Sequence, residues 1–156
     1  MNAGPILNSI AAEMAHARLE AILIGNAAAA IHGAPVTTLD FDFMFRQTSL
    51  NMEKLKRFST AMGAVILRPY YPMSKLYRVV NDDTGLQADF LAVIDGVKSF
   101  NSLRSRAEKV GFGGHLLWVA SLEDIIASKR AAGRPRDQAV LQALEATLRE
   151  KTKTQS

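Results

Sequence analysis

Two aspartates one residue apart, Asp40 and Asp42, stand in the apolar run TTLDFDFMF at residues 37–45. A strand that buries both faces has no place for carboxylates, and a solvent face is seldom this hydrophobic. Side chains alternate along a strand, so the two acids share one side, with Cα atoms roughly 6.6 Å apart. Phe41, Phe43 and Phe45 take the other side, which we assign to the core. A third acid, Asp89 in LQADFLAVI, shares a face with Gln87, Leu91 and Val93. If the two strands are neighbours, Asp89 stands within roughly 5–8 Å of the pair. Three gathered carboxylates repel one another unless a cation neutralises them. Oxygen donors with no histidine or cysteine beside them suit a hard ion, Mg²⁺ or Mn²⁺. The competing reading is an edge strand with a solvated D-x-D face, and an isolated D-x-D fits that reading better.

The context changes the balance. Upstream, AILIG (21–25) reads as a short buried strand that breaks at Gly25-Asn26 into the alanine-rich helix NAAAAIHG (26–33), with Asn26 as N-cap and Gly33 as stop. A helix N-terminus presents free N–H groups and the positive dipole end to an anion, and glycine lets a phosphate approach the backbone. A single glycine also fits an ordinary strand–helix turn. Downstream, SLEDIIASKRAAG carries a capping signature, Ser121 against Asp124, and stops at Gly133. RPRDQAVLQALEATLREK follows, with Pro135 at its first helical position. Lys129 is either a phosphate ligand or a solvated helix residue. Arg134 and Asp137 also fit a simple i, i+3 pair at a helix start.

The remaining elements must position these residues. A helix over Pro5–Leu19 carries Ile6, Ile10, Met14 and Ala17 at helical spacing. NMEKLKRFSTAMG (51–63) is a helix capped by Asn51 and stopped by Gly63. AVILR (64–68), KLYRVVN (75–81) and LQADFLAVI (86–94) are strands, the last two joined as a hairpin at DDTG. FNSLRSRA is a short helix, and HLLWVA (115–120) a further strand or extended piece. The order describes a mixed β-sheet packed against helices, an α+β fold with C-terminal helices. We read residues 1–150 as a single domain and 151–156 as a basic disordered tail.

Of 156 residues, 48% are hydrophobic and none is cysteine, which excludes disulfides, thiolate catalysis and sulfur-ligated zinc. Absent cysteine fits a reducing cytoplasm. No apolar run approaches the roughly 20 residues that span a bilayer, so no membrane association is expected. The N-terminus lacks the basic start of a signal peptide. Nineteen basic against 15 acidic residues give a net charge of +4, a mild pointer to a polyanionic partner.

The stretch ILIGNAAAAIHGAPVTTLDFDFMF resembles the signature of the minimal nucleotidyltransferases of the DNA polymerase β superfamily. That signature is a strand, Gly-Gly or Gly-Ser, a small-residue helix, often His-Gly, then T-x-D-hydrophobic-D. SLEDIIASKRAAGRPRDQAVLQAL is similar to the K-x-x-A-x-R-x-x-D motif of the abortive-infection toxin-like nucleotidyltransferases. The two stretches cover residues 21–46 and 121–144, with QADFL between them. The resemblance implies the polymerase β-like fold and transfer of a nucleoside monophosphate from a nucleoside triphosphate to a hydroxyl of RNA or protein. It makes Gly25 and Asn26 the triphosphate turn, and Asp40, Asp42 and Asp89 the ligands of Mg²⁺ or Mn²⁺. Asp89 would also be the general base, and Lys129, Arg134 and Asp137 the C-terminal motif, with Lys129 or Arg134 facing the triphosphate. Asn26 departs from the usual Gly or Ser. The implied setting is the toxin-like half of a toxin–antitoxin pair with a cognate partner protein. The alternatives are a catalytically silent binding module of the same fold and a small-molecule nucleotidyltransferase of the antibiotic-modifying kind.

His32 precedes Gly33 at a helix end and is not assigned to catalysis. His16 and His115 show no partners in sequence, and Trp118 is assigned to the core. Tyr70, Tyr71 and Tyr77, near Arg68, Lys75 and Arg78, fit a half-buried hairpin better than a base-stacking platform.

Overall fold

A computed structural model of the chain describes residues 3–38, 40–68 and 76–155. Among the described residues seven strands form one sheet: β1 (Ala21–Ile24), β2 (Phe41–Phe45), β3 (Val65–Leu67), β4 (Leu76–Asn81), β5 (Leu86–Leu91), β6 (Glu108–Phe112) and β7 (His115–Val119). The described helices are α1 (Ala3–Ala17), α2 (Gly25–Ile31), α3 (Ser49–Ala61), α4 (Phe100–Arg106), α5 (Leu122–Ala132) and α6 (Pro135–Gln155). The strand order is β3-β4-β5-β2-β1-β7-β6. β2 runs antiparallel to β1 and parallel to β5, while β7 lies parallel to β1. The sheet is therefore mixed, as the sequence predicts.

The phenylalanine face explains why β2 and β5 sit at the centre. Phe43 stacks on Phe90 at 5.0 Å between centroids, and Phe45 and Phe58 meet Phe90 edge-on. Phe58 belongs to α3, so that helix closes this side of the core. Burying four aromatic rings in mutual contact supplies hydrophobic stabilisation and fixes their orientation. Once this face is committed, alternation sends Asp42 and Asp89 to the other.

Local chemistry sets the ends. Ser121 caps α5 by accepting from the Asp124 N–H, and Gly133 closes it in the left-handed conformation. Two expected caps differ. Thr48, not Asn51, caps α3; Asn51 is buried and donates to the carbonyls of Glu20 and Arg46 while accepting from the Glu20 N–H. It thereby ties the start of α3 to β1 and β2. Asn26 does not cap α2 either. The helix begins at Gly25, Ile24 occupies the cap position, and no side chain bonds there.

Three other expectations shift. The tail expected to be disordered from residue 151 continues α6 to Gln155, because Lys151 is anchored on His32 at 2.6 Å. The strand expected to carry both Asp40 and Asp42 starts at Phe41, leaving Asp40 at the bend before it. β6 has no counterpart in the sequence reading. It pairs with β7 across Gly113-Gly114, both at positive φ, a dipeptide that signals a hairpin when flanked by apolar alternation. Tyr70, Tyr71 and Lys75 lie outside the described residues. Among the described residues no helix is long and apolar enough to cross a membrane.

Candidate active site

The parallel register of β2 and β5 places Asp42 directly opposite Asp89. The antiparallel register of β4 and β5 places Arg78 opposite Asp89 in turn. Arg78, Asp89 and Asp42 thus form one row across three adjacent strands. Asp40, one bend before β2, lines the same cavity of about 770 Å³. Gly25, Asn26, Lys129, Arg134 and Asp137 line it as well. All eight residues singled out in the sequence meet around one space.

Gly25 brings the start of α2 close against the carboxylates. It adopts φ +68°, and a Cβ there would stand 2.9 Å from Asp42 Oδ2. The backbone can follow this path because glycine has no side chain to clash. The next residue, Asn26, has a buried Oδ1 with no hydrogen-bond partner. Buried polar atoms are rarely left unmatched, so this orphan acceptor is a cost to the ligand-free fold.

Asp42 carries the electrostatic cost of the arrangement. Burial pushes its carboxyl above the usual range, and the charges of Asp89 and Asp40 push it further. Lys129 and Arg134 pull the other way. Asp89, only 8% exposed, is held by Arg78, whose Nε donates to Oδ1 at 2.8 Å and Nη2 to Oδ2 at 3.2 Å. Arg78 was missed as a site residue. The four-residue turn 82–85 pairs Asn81 with Leu86, and counting back along both strands brings Arg78 to Asp89.

The C-terminal motif forms the facing wall. Asp137 is 3% exposed and accepts from Arg134 Nε at 2.8 Å, while Lys129 Nζ lies 3.7 Å from its other oxygen. Burial alone would raise the Asp137 carboxyl, but the bond and charge of Arg134, joined by Lys129, hold it below the usual range. Burial depresses the Lys129 ammonium; Asp137 opposes that depression, and Arg134 adds to it. Arg134 and Asp137 are therefore more than a solvated pair, because their carboxylate also holds a buried lysine. His32 stays outside the site: its Nε2 faces the Ala120 carbonyl at 2.7 Å and its Nδ1 faces Lys151. His16 meets His115 edge-on at 5.5 Å, away from the cavity lining. Tyr77 lies on the phenylalanine face against Phe45, under Arg68. Trp118 is half-buried beneath Lys109.

The donor set fits a hard divalent ion in its chemistry. Asp40 and Asp42 offer oxygen only, and burial together with Asp89 and Asp40 disfavours the ionised form of Asp42, a cost that a bound cation would offset. The third carboxylate is engaged by Arg78, and among the described residues no group of three ligating side chains is arranged to hold a metal.

With this geometry in view, solved structures of two proteins are informative. One is a protein of Thermotoga maritima provisionally named a nucleotidyltransferase; 88% of this chain superposes on 89% of that one with a TM-score of 0.62 at 17% identity. The chain has the nucleotidyltransferase fold. The second is ANT(2'')-Ia in complex with adenylyl-2''-tobramycin, which matches 96% of this chain and 92% of its own at a TM-score of 0.63 and 15% identity. The solution structure of the same antibiotic-resistance factor matches over the same shares at 0.59 and 13%. At such identities the likeness speaks for the fold alone. No protein-family model matches the sequence, and no protein of curated function matches it.

Proposed function

We propose that this protein is a nucleotidyltransferase that moves a nucleoside monophosphate from a nucleoside triphosphate to a hydroxyl acceptor. The observation that carries this reading is the meeting of Asp40, Asp42 and Asp89 with Lys129 and Arg134 around one cavity beside Gly25. Acids on one wall and cations on the other match the two ends of the reaction. In the transfer, the acceptor oxygen attacks the α-phosphorus, the α–β bridging bond breaks, and pyrophosphate leaves. Lys129 and Arg134 face the charge that develops on the departing phosphates. Asp89, oriented by Arg78, takes the proton of the attacking hydroxyl, since two of its roughly four lone-pair sites remain available. Gly25 lets the triphosphate approach the backbone at the start of α2, where Asn26 follows it in the cavity lining. Asp40 and Asp42 would hold Mg²⁺ or Mn²⁺, which when bound supplies charge neutralisation and Lewis acidity at the phosphate.

For the acceptor we favour RNA or protein, with the chain acting as the toxin-like half of a two-component pair that has a cognate partner protein. The support is the K-x-x-A-x-R-x-x-D motif at Lys129, Arg134 and Asp137, whose three side chains share one ionic cluster. A small-molecule acceptor is the second reading, favoured by the match to an enzyme caught with adenylylated tobramycin. The deciding experiment supplies each of four α-labelled nucleoside triphosphates with Mg²⁺ to parent and Asp42→Asn protein, adding RNA, a protein extract or an aminoglycoside. Label entering one acceptor with parent alone identifies the reaction. No transfer with any nucleotide, or equal transfer with the variant, would leave a silent binding module as the better account.

A further inference from the structure

We propose that Arg78 is a built-in counter-cation for Asp89 that stands in for one divalent ion, so that the site takes a single metal ion at Asp40 and Asp42. The inference rests on the nucleotidyltransferase reading and deepens it: it makes Arg78 a positioning residue and fixes the ion count at one. Three observations converge. Arg78 and Asp89 are register partners on adjacent strands, so the sheet itself delivers the guanidinium to the carboxylate. The contact is two-pronged, one nitrogen to each oxygen, which spends the directed geometry of an arginine on a single acid. Asp40 and Asp42, by contrast, form no ion pair among the described residues.

The other cations of the cavity do not substitute for Arg78. Lys129 and Arg134 are committed to Asp137 across the space. An ion seated on Asp89 would have to share its oxygens with a guanidinium already touching both, and positive charge would meet positive charge. The row of Arg78, Asp89 and Asp42 instead runs as cation, acid and acid, and leaves Asp42 and Asp40 without an ion pair among the described residues, with Lys129 and Arg134 offsetting Asp42 only from a distance. That asymmetry is what a single ion would complete. Arg78 in turn keeps Asp89 turned toward the cavity, where it can accept a proton.

The test is a Mn²⁺ titration of the full chain without nucleotide, reading free Mn²⁺ by electron paramagnetic resonance. Parent protein is expected to bind one ion, and Asp42→Asn to bind none. Arg78→Gln keeps a polar stem but frees Asp89, and should bind a second ion or bind the first about tenfold more tightly, the scale on which outer groups tune metal sites. Arg78→Gln combined with Asp89→Asn should return to one ion at parent affinity. An unchanged titration curve for Arg78→Gln would overturn the proposal, and so would two ions in the parent. The parent's own count decides the matter even if Arg78→Gln does not fold. A parent that binds no ion removable by Asp42→Asn would overturn the nucleotidyltransferase reading itself, an outcome separate from a wrong ion count.

Discussion

Asp42 Oδ2 lies where a side chain on Gly25 would begin, 2.9 Å from the ideal Cβ position. The strand that carries the acid and the turn that opens α2 are thus in backbone-to-carboxylate contact. Gly25→Ala would strain the left-handed φ of +68° and push the Asp42 carboxylate aside. We expect a loss of about 1–3 kcal/mol in stability. Gly33→Ala is the matched control: φ is +94°, but nothing lies within 4 Å of the added carbon. Thermal melts with and without Mg²⁺ and nucleotide should show both variants destabilised. Only Gly25→Ala should lose the shift induced by ligand.

The pH dependence of the metal-free protein should report on Asp42. Its carboxyl is raised in the fold, first by burial and then by Asp89 and Asp40, so the native state binds this proton more tightly than the unfolded chain does. Stability attributable to the group is then greatest at acid pH and falls as pH rises from the ordinary aspartate value through the raised one. Asp42→Asn removes this penalty. At neutral pH the metal-free variant should melt at the same temperature as the parent or higher, and the difference should vanish near pH 4 or below. Divalent ions compete with the same proton, so metal affinity should weaken as the solution is acidified. A variant that melts lower than parent at neutral pH would indicate that the carboxylate stabilises the apoprotein.

The carboxylate geometry was legible in the sequence because strand alternation depends on spacing alone. Asp42, Phe41, Phe43 and Asp89 take the faces that the period of two assigns, and QADFL pairs beside FDFMF. Caps were less legible because they turn on which neighbour wins a bond. Asn51 has the right chemistry to cap α3, yet long-range bonds to Glu20 and Arg46 claim it, and Thr48 takes the local role. Arg78 escaped notice because its meaning lies in a cross-strand partner eleven residues away. The length of α6 escaped for a similar reason: a charged tail reads as solvated until a contact such as Lys151 with His32 anchors it.

Asn26 offers a test of ligand placement. Its buried oxygen without a partner costs the free protein up to about 1–3 kcal/mol, the desolvation penalty of an unmatched acceptor. Asn26→Ala should therefore leave the ligand-free melting temperature unchanged or raise it. If the Asn26 amide turns toward a bound nucleotide and accepts from one of its hydroxyl or N–H groups, the same change should weaken nucleotide binding in calorimetry. A less stable free protein with unchanged nucleotide affinity would assign Asn26 to packing.

The facing wall separates folding from function most sharply. Asp137 is the common partner of Lys129 and Arg134, and both Asp137 and Lys129 are buried, so the three charges form a small network with one anion at its centre. Removing that anion leaves a buried ammonium beside a guanidinium with nothing between them. Asp137→Asn should cost about 3 kcal/mol, the lower end for breaking a buried pair from one side. Most of that cost comes from Lys129, because half of the Arg134 side chain is exposed and water can take over its charge. Lys129→Met keeps the length of the side chain and leaves Asp137 paired with Arg134. It should cost well under the Asp137 change, about 1 kcal/mol or less, since the buried ammonium is replaced by an apolar group of similar volume while Asp137 keeps its bond from Arg134. For nucleotidyl transfer the order reverses. Lys129→Met removes a charge that faces the phosphates and should lower kcat/KM by roughly a hundredfold or more, as losing one preorganised charge-stabilising donor does. Chemical denaturation gives the stability order, and transfer assays on protein shown to be folded give the activity order. Should Lys129→Met prove as unstable as Asp137→Asn, the lysine would be a structural member of the network. Full activity in Lys129→Met would remove it from the phosphate site and leave Arg134 as the cation there.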